Sequence, residues 1–196
     1  MNASRRFSHA IAEGDGISVV AAVEDAAAAG AAEAQRAEAL VVNGDPAGLR
    51  EATRLPILWR AGAGVERAAE VADAVTVSLP EDEDEDHDPA QRRHEEALAA
   101  GLDCAVEVRS EEELERALAV LDPEIFLLVP PEGDEEERLE AVLELLAEVP
   151  AGKLAIADLA VTTEHEVHEL ERAGVDAVIV HAADVSPLVG EAPPEV

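Results

Sequence analysis

The side chains that could do chemistry in this chain sit at the ends of short apolar runs. Glu107 lies in LDCAVEVR (Leu102 to Arg109), a run that carries charge only near its ends and at that glutamate. A carboxylate in an apolar strand is costly unless it is paired or used. Arg60 closes LPILWR, Glu24 follows ISVVAAV, and His181 follows VDAVIV. Two chemistries are open to such a set. Glu107 could be a catalytic carboxylate, with His181 as an acid or base near it. Alternatively Arg60 sits between Glu24 and Glu107 as a buried ion cluster, and His181 is a satisfied residue at a strand end. The cluster is the better supported, because strands one, three and five of a closed barrel share a layer of inward side chains.

Other candidates are weaker. Glu81 to Asp88 (EDEDEDHD) is dense in carboxylate oxygens, as a hard divalent cation would want, but lacks the glycine and spacing of a calcium loop. It reads as a solvated acidic loop. His165 and His168 stand three apart on a helix with no third ligand evident, so no metal site is expected. The other histidines besides His181 read as surface residues. If Glu107 points inward, alternation turns Cys104 outward as a small core residue. Trp59 points outward in the same way if Arg60 points in.

The elements that must position these residues alternate regularly. Strands are expected at 17–23, 39–42, 55–60, 74–79, 102–109, 124–129, 153–157 and 175–180. Between them the pattern predicts helices, beginning with a short one at 7–13. Ser110 is an N-cap with Glu113 three residues on, the spacing of a capping box. Helix 134–148 carries an apolar stripe of Leu139, Val142, Leu143 and Leu146. Helix 162–173 starts at Thr162 or Thr163 and stops at Gly174. Eight βα pairs with apolar strands predict an α/β fold, a (βα)8 barrel over residues 1–183, with an irregular tail at 184–196. The chain is short for such a barrel, so its last helix is expected to be truncated. An open doubly wound sheet is the alternative, but no GxGxxG follows a strand.

Composition bounds the rest. The 196 residues carry 45 acidic and 14 basic side chains, a net charge of −31, with Lys153 the only lysine. Self-repulsion of that size is relieved by salt, which suits a salt-accumulating cell. A specific cationic partner is the rival explanation, but the acidic residues are spread over nearly every helix. Such a surface repels nucleic acid and anionic membranes. A single cysteine and the lack of a long apolar run predict a cytoplasmic protein. Apolar surface near Val185 to Val189, left bare by a truncated last unit, could be covered by a second copy of the chain in a homodimer.

Several of these stretches together are similar to a known family. GLDCAVEVRSEEELERAL resembles the fifth strand and helix of indole-3-glycerol phosphate synthase. FSHAIAEGDGISVVAAVE resembles the segment entering its first strand, GDPAGLREATRLPILWR its second helix and third strand, and TTEHEVHELERAGVDAVIVHAA its last helix–strand unit. The resemblance runs from Phe7 to about Ala183. It implies a TIM barrel, a carboxy-lyase of tryptophan biosynthesis, no cofactor, and a small phosphorylated, anionic metabolite as ligand.

In that family a lysine is the general acid, carboxylates handle protons and charge, and an Asn and an Arg hold the intermediate. The matching positions here depart from the pattern. The first strand's AEIK is Ala21-Ala22-Val23-Glu24, and the third strand's lysine falls on Arg60. Glu107 is kept. The sixth strand's INNR-like pattern is Leu128-Val129-Pro130-Pro131. The seventh strand's SESG is Ile156-Ala157-Asp158-Leu159, and the eighth strand's Gly-Glu is His181-Ala182. The resemblance therefore leaves Glu107, Arg60 and Glu24 as catalytic candidates, with Asp158 and His181 as ligand-binding ones. An arginine holds its proton too firmly to replace the lysine as general acid. The expectation is a divergent member that has lost most catalytic residues, with an active lyase as the alternative.

Overall fold

The computed structural model describes residues 5–12, 16–60, 64–80 and 87–189. Eight strands run in chain order: β1 (Ser18–Val23), β2 (Ala39–Val42), β3 (Ile57–Trp59), β4 (Ala74–Ser78), β5 (Asp103–Val108), β6 (Ile125–Leu128), β7 (Leu154–Asp158) and β8 (Ala177–Val180). Each pairs in parallel with the next, and β8 pairs with β1 through Ser18↔Ala177 and Ala21↔Val180, closing the barrel. The expected (βα)8 TIM barrel is the fold found.

The helices are α1 (Arg6–Ala12), α2 (Ala26–Ala34), α3 (Leu49–Ala52), α4 (Val65–Val71), α5 (Asp88–Ala99), α6 (Glu111–Val120), α7 (Glu135–Glu148) and α8 (Glu164–Ala173). α1 precedes the first strand, and the other seven fill the crossovers. No helix among the described residues follows β8, where the chain makes only a turn, Leu188 N–H to Val185 C=O at 2.9 Å.

Alternation along each strand sorts the core into two parts. Val20, Val41, Leu58, Ala105, Leu127, Ile156 and Ile179 fill the barrel interior. Val19, Leu40, Ile57, Val106, Phe126 and Val178 lie in the cluster beneath the helices. Cys104 and Trp59 belong to that outer cluster, as alternation requires. Phe7 and Ile11 of α1 pack into the interior cluster. Asp103, at the start of β5, anchors α1 by accepting from the Ser8 N–H at 2.9 Å and its Oγ at 3.0 Å. The opposite, C-terminal end of the barrel carries Arg60, Glu107, Asp158 and His181.

Local chemistry explains where elements stop. α2 stops at Ala34, and two residues on Arg36 adopts a left-handed φ of 71° that turns the chain out of the helix. Ser110 caps α6, but the Glu113 carboxylate accepts from the Arg109 N–H at 2.8 Å, one residue before the cap. The capping boxes Asp134/Glu137 and Thr163/Glu166 are complete, and Gly174 ends α8 at a φ of 98°. On α7 the structure buries Val142 and Leu145 and leaves Leu143 37% exposed, so the stripe runs one residue differently from the pattern. Leu143 is rotated about 100° from Val142, too far to share its face. Val185 and Leu188 are buried in the outer core, and the Val185 N–H reaches Gln35 Oε1 at 2.8 Å. The bare apolar surface expected there is thus filled by these residues themselves.

Candidate functional site

The C-terminal mouth holds a chain of charged groups centred on Arg60. The residue follows β3 directly, its N–H bound to Val42 C=O at 2.9 Å and its C=O taking the Thr76 hydroxyl at 2.9 Å. Its Nε donates to Glu107 Oε1 at 2.8 Å, and its Nη1 donates to Asp158 Oδ2 in a shorter contact. Glu107 Oε2 also accepts from Arg109 Nη2 at 3.1 Å and from Ser78 Oγ at 3.3 Å. The other Asp158 oxygen, Oδ1, lies 2.8 Å from His181 Nε2. The order is therefore Arg109, Glu107, Arg60, Asp158, His181. The side chains of Arg60, Glu107 and Asp158 are 17%, 9% and 12% exposed, whereas that of His181 is 45% exposed. The centre is buried and the histidine end is open.

The electrostatics follow from this packing. Burial would raise the pKa of Asp158, but the hydrogen bond with His181 and the charge of Arg60 outweigh it and hold the carboxyl below its ordinary value. Burial also works against the charge on Arg60, and the two carboxylates more than offset it, raising its pKa. A guanidinium held in this way keeps its proton.

Of the expected cluster, Arg60 and Glu107 are brought together and Glu24 is not. β1 ends at Val23, and Glu24 lies exposed in the turn into α2, with no hydrogen bond or ion pair to Arg60 among the described residues. Ala22 is the β1 residue packed against the interior cluster at this level. The second carboxylate is Asp158 instead. It is the last residue of β7, one place beyond where the sequence pattern ends that strand, and two beyond the inward Ile156. β3, β5 and β7 thus supply one layer, as alternate strands do. Glu24 and His181 do line a common cavity of about 580 Å³, together with Ala22, Asp25, Asn43 and Gly44.

At three helix starts around the mouth, α6, α7 and α8, a glutamate of the first turn folds back on the chain. Glu113 takes the Arg109 N–H, and Glu137 takes that of Asp134 at 3.2 Å. Glu166 takes those of Thr162 and Thr163, each at 2.9 Å. These carboxylates put negative charge beside helix N-termini, which disfavours a phosphate there. Lys153 lies at the other end of the barrel, before β7, with Nζ 2.6 Å from Asp122 Oδ1.

The remaining candidates separate. No group of three or more His, Cys, Asp or Glu among the described residues could hold a metal. His165 and His168 are exposed on α8, and His168 Nδ1 lies 2.9 Å from Glu164 C=O. Residues 81–86 of the acidic run lie outside the described residues. The Cys104 thiol is buried and pushed up to about 12, which makes it a poor nucleophile. Trp59 donates from Nε1 to Gly44 C=O at 2.7 Å. His94 is not a surface residue: it is buried on α5, where it faces the barrel wall. No described helix is long and apolar enough to cross a membrane.

Comparison with known proteins bears on these residues. No family model matches the chain. Over 98 residues, 49% of the chain, it is 39% identical to the indole-3-glycerol phosphate synthase of Polaromonas naphthalenivorans (strain CJ2) and 38% identical to that of Variovorax paradoxus (strain S110). Over 88 residues it is 31% identical to that of Geobacillus sp. (strain WCH70). The chain spans only 34–37% of the length of these relatives. Among solved structures, it superposes on a mutant tryptophan synthase alpha-subunit from Pyrococcus furiosus with a TM-score of 0.65 and 16% identity, covering 85% of this chain and 87% of that one. A putative phosphonomutase from Burkholderia cenocepacia J2315 gives 0.60 and 17%, with the same coverage. Those two likenesses concern the fold alone. The chain is a (βα)8 TIM barrel whose sequence, over about half its length, is similar to indole-3-glycerol phosphate synthases.

Proposed function

We propose that this chain is a divergent barrel of the indole-3-glycerol phosphate synthase kind that no longer carries out the ring-closing lyase reaction. It uses its mouth for binding, or for a different reaction. The observation that supports this reading best is the position of Arg60. The guanidinium stands where the resemblance places a proton-donating lysine, and it is tied to Glu107 and Asp158. The chain's one amine-bearing side chain, Lys153, is engaged with Asp122 at the far end. With Arg60 matched by two carboxylates and Glu113, Glu137 and Glu166 placing negative charge at the starts of α6, α7 and α8, the pull on a phosphorylated substrate is weak.

The second reading is an active lyase. Glu107 favours it, since it is retained at the end of β5 and faces inward. The two readings part in one assay. The protein, in molar salt, is given the anilino-deoxyribulose phosphate that the family uses, and indole fluorescence is followed. The proposal expects the wild type to match a Glu107→Gln control. Turnover that Glu107→Gln abolishes would establish the lyase instead.

A further inference from the structure

The mouth cavity of about 580 Å³ that Glu24 and His181 share is lined by acceptors. Its polar side chains are Glu24, Asp25, Asn43 and His181, set among alanine, valine and glycine, and neither lysine nor arginine lines it. Three of them come directly after strands that are neighbours in the closed barrel. His181 follows β8, Glu24 follows β1 and Asn43 follows β2. The charged cluster centred on Arg60 comes instead from β3, β5 and β7, and it meets this second group only where Asp158 touches His181.

That contact fixes how His181 presents itself. Asp158 carries its charge, because Oδ2 takes Arg60 Nη1, so its Oδ1 accepts the proton on His181 Nε2 at 2.8 Å. In the neutral ring Nδ1 then holds a lone pair, and it has no partner among the described residues. The side chains of Glu24 and Asn43 likewise make no hydrogen bond to a described residue and are exposed. Asp25 is partly engaged, since its Oδ1 takes the Ala28 N–H at 2.8 Å. Arg60 is occupied by Glu107 and Asp158, so no guanidinium competes for these acceptors. The net charge of −31 draws cations towards them.

We propose that this cavity binds a small primary amine as its ammonium ion, received by the Glu24 carboxylate, Asn43 Oδ1 and His181 Nδ1. A primary ammonium has three donors and no acceptor, which matches three acceptors on three adjacent strand ends. Its short aliphatic body lies against Ala22, Ala28 and Ala182. A phosphate or carboxylate would meet acceptors only, and an unpaired glutamate among them. The proposal rests on the reading that the mouth serves binding and not the lyase reaction, and it names the class of ligand.

The probe is n-butylamine. n-Butanol lacks the charge, and butyltrimethylammonium keeps the charge but lacks the donors. Trp59, the only tryptophan, donates to the carbonyl of Gly44 in the cavity lining, so its fluorescence reads the site. In molar KCl, butylamine should change that emission saturably. With nitrogen-15 histidine it should move the His181 ring signals alone among the six. Both controls should bind about tenfold more weakly or worse, the worth of a hydrogen bond to a charged group. Glu24→Gln should weaken butylamine about tenfold, whereas Glu115→Gln, exposed on α6 between β5 and β6, should leave it unchanged. The proposal is overturned if neither signal saturates. Equal binding of the quaternary ammonium, or equal loss in the two glutamate variants, would also overturn it, by showing attraction to net charge alone. Indole formation in the assay above would remove the reading of the mouth itself, whereas a failed amine titration in a protein that forms no indole removes only this proposal.

Discussion

Replacing Arg60 with methionine tests what the mouth cluster is for. The side chain is 17% exposed and bridges two carboxylates that are 9% and 12% exposed. Methionine keeps much of the volume and removes the charge. Breaking a buried ion pair by deleting one partner costs about 3–5 kcal/mol, because the other charge is left uncompensated. Here Glu107 keeps Arg109 and Asp158 keeps His181, so the low end applies, about 3 kcal/mol. For a chain of this size, about 2–4 °C of melting temperature goes with each kcal/mol, giving a fall of about 6–12 °C. Thermal and urea unfolding by circular dichroism in molar salt reads both quantities. Glu107→Gln and the double variant complete a cycle, in which a coupling of at least about 1 kcal/mol is expected for groups in direct contact. An Arg60→Met protein within about 0.5 kcal/mol of wild type, the range of an ordinary surface change, would refute the reasoning. Arg60 would then be held for a ligand and not for the fold.

Further expectations follow from the same geometry. Asp158 has a folded-state pKa below its ordinary value of 3.8. It therefore adds stability above that value, and the contribution is lost as pH falls through the folded pKa. Asp158→Asn should be less stable at pH 7 and show a shallower acid dependence below pH ~4 in melting experiments. Thr163→Ala removes the cap of α8 and should cost about 1 kcal/mol in urea unfolding. With a net charge of −31, the protein should melt at a higher temperature as KCl rises from ~0.1 to ~1 M, over which the screening length falls from about 10 to 3 Å. A melting temperature independent of salt would mean that self-repulsion is not a significant cost. Cys104 should resist a thiol reagent at pH 8 until the protein unfolds, since its thiol is buried and raised to about 12.

The fold was legible because its signals repeat. Short apolar runs, spaced by helical patterns, mark all eight strands, which are three to six residues long, and their alternation correctly turns Cys104 and Trp59 outward and Glu107 inward. The pairing of Arg60 with Glu107 was legible for the same reason. Asp158 was harder to place. LAIAD reads as a strand ending at Ala157, and nothing local says that the aspartate continues the ladder; its pairing opposite Ile179 of β8 does. Glu24 failed in the opposite sense, since its strand stops one residue earlier and Ala22 takes the mouth position. His94 sits among charged neighbours in a polar helix, and only the packing of α5 against β4 and β5 reveals its burial. These are tertiary facts that a one-dimensional pattern does not carry.

The most direct test of the central claim, that Arg60 has become a structural clamp in place of a proton donor, is turnover of anilino-deoxyribulose phosphate by folded protein in molar salt. Over hours, wild type and Glu107→Gln should give the same indole fluorescence as buffer. A steady rise in the wild type that Glu107→Gln removes would contradict the account and make this barrel a working lyase.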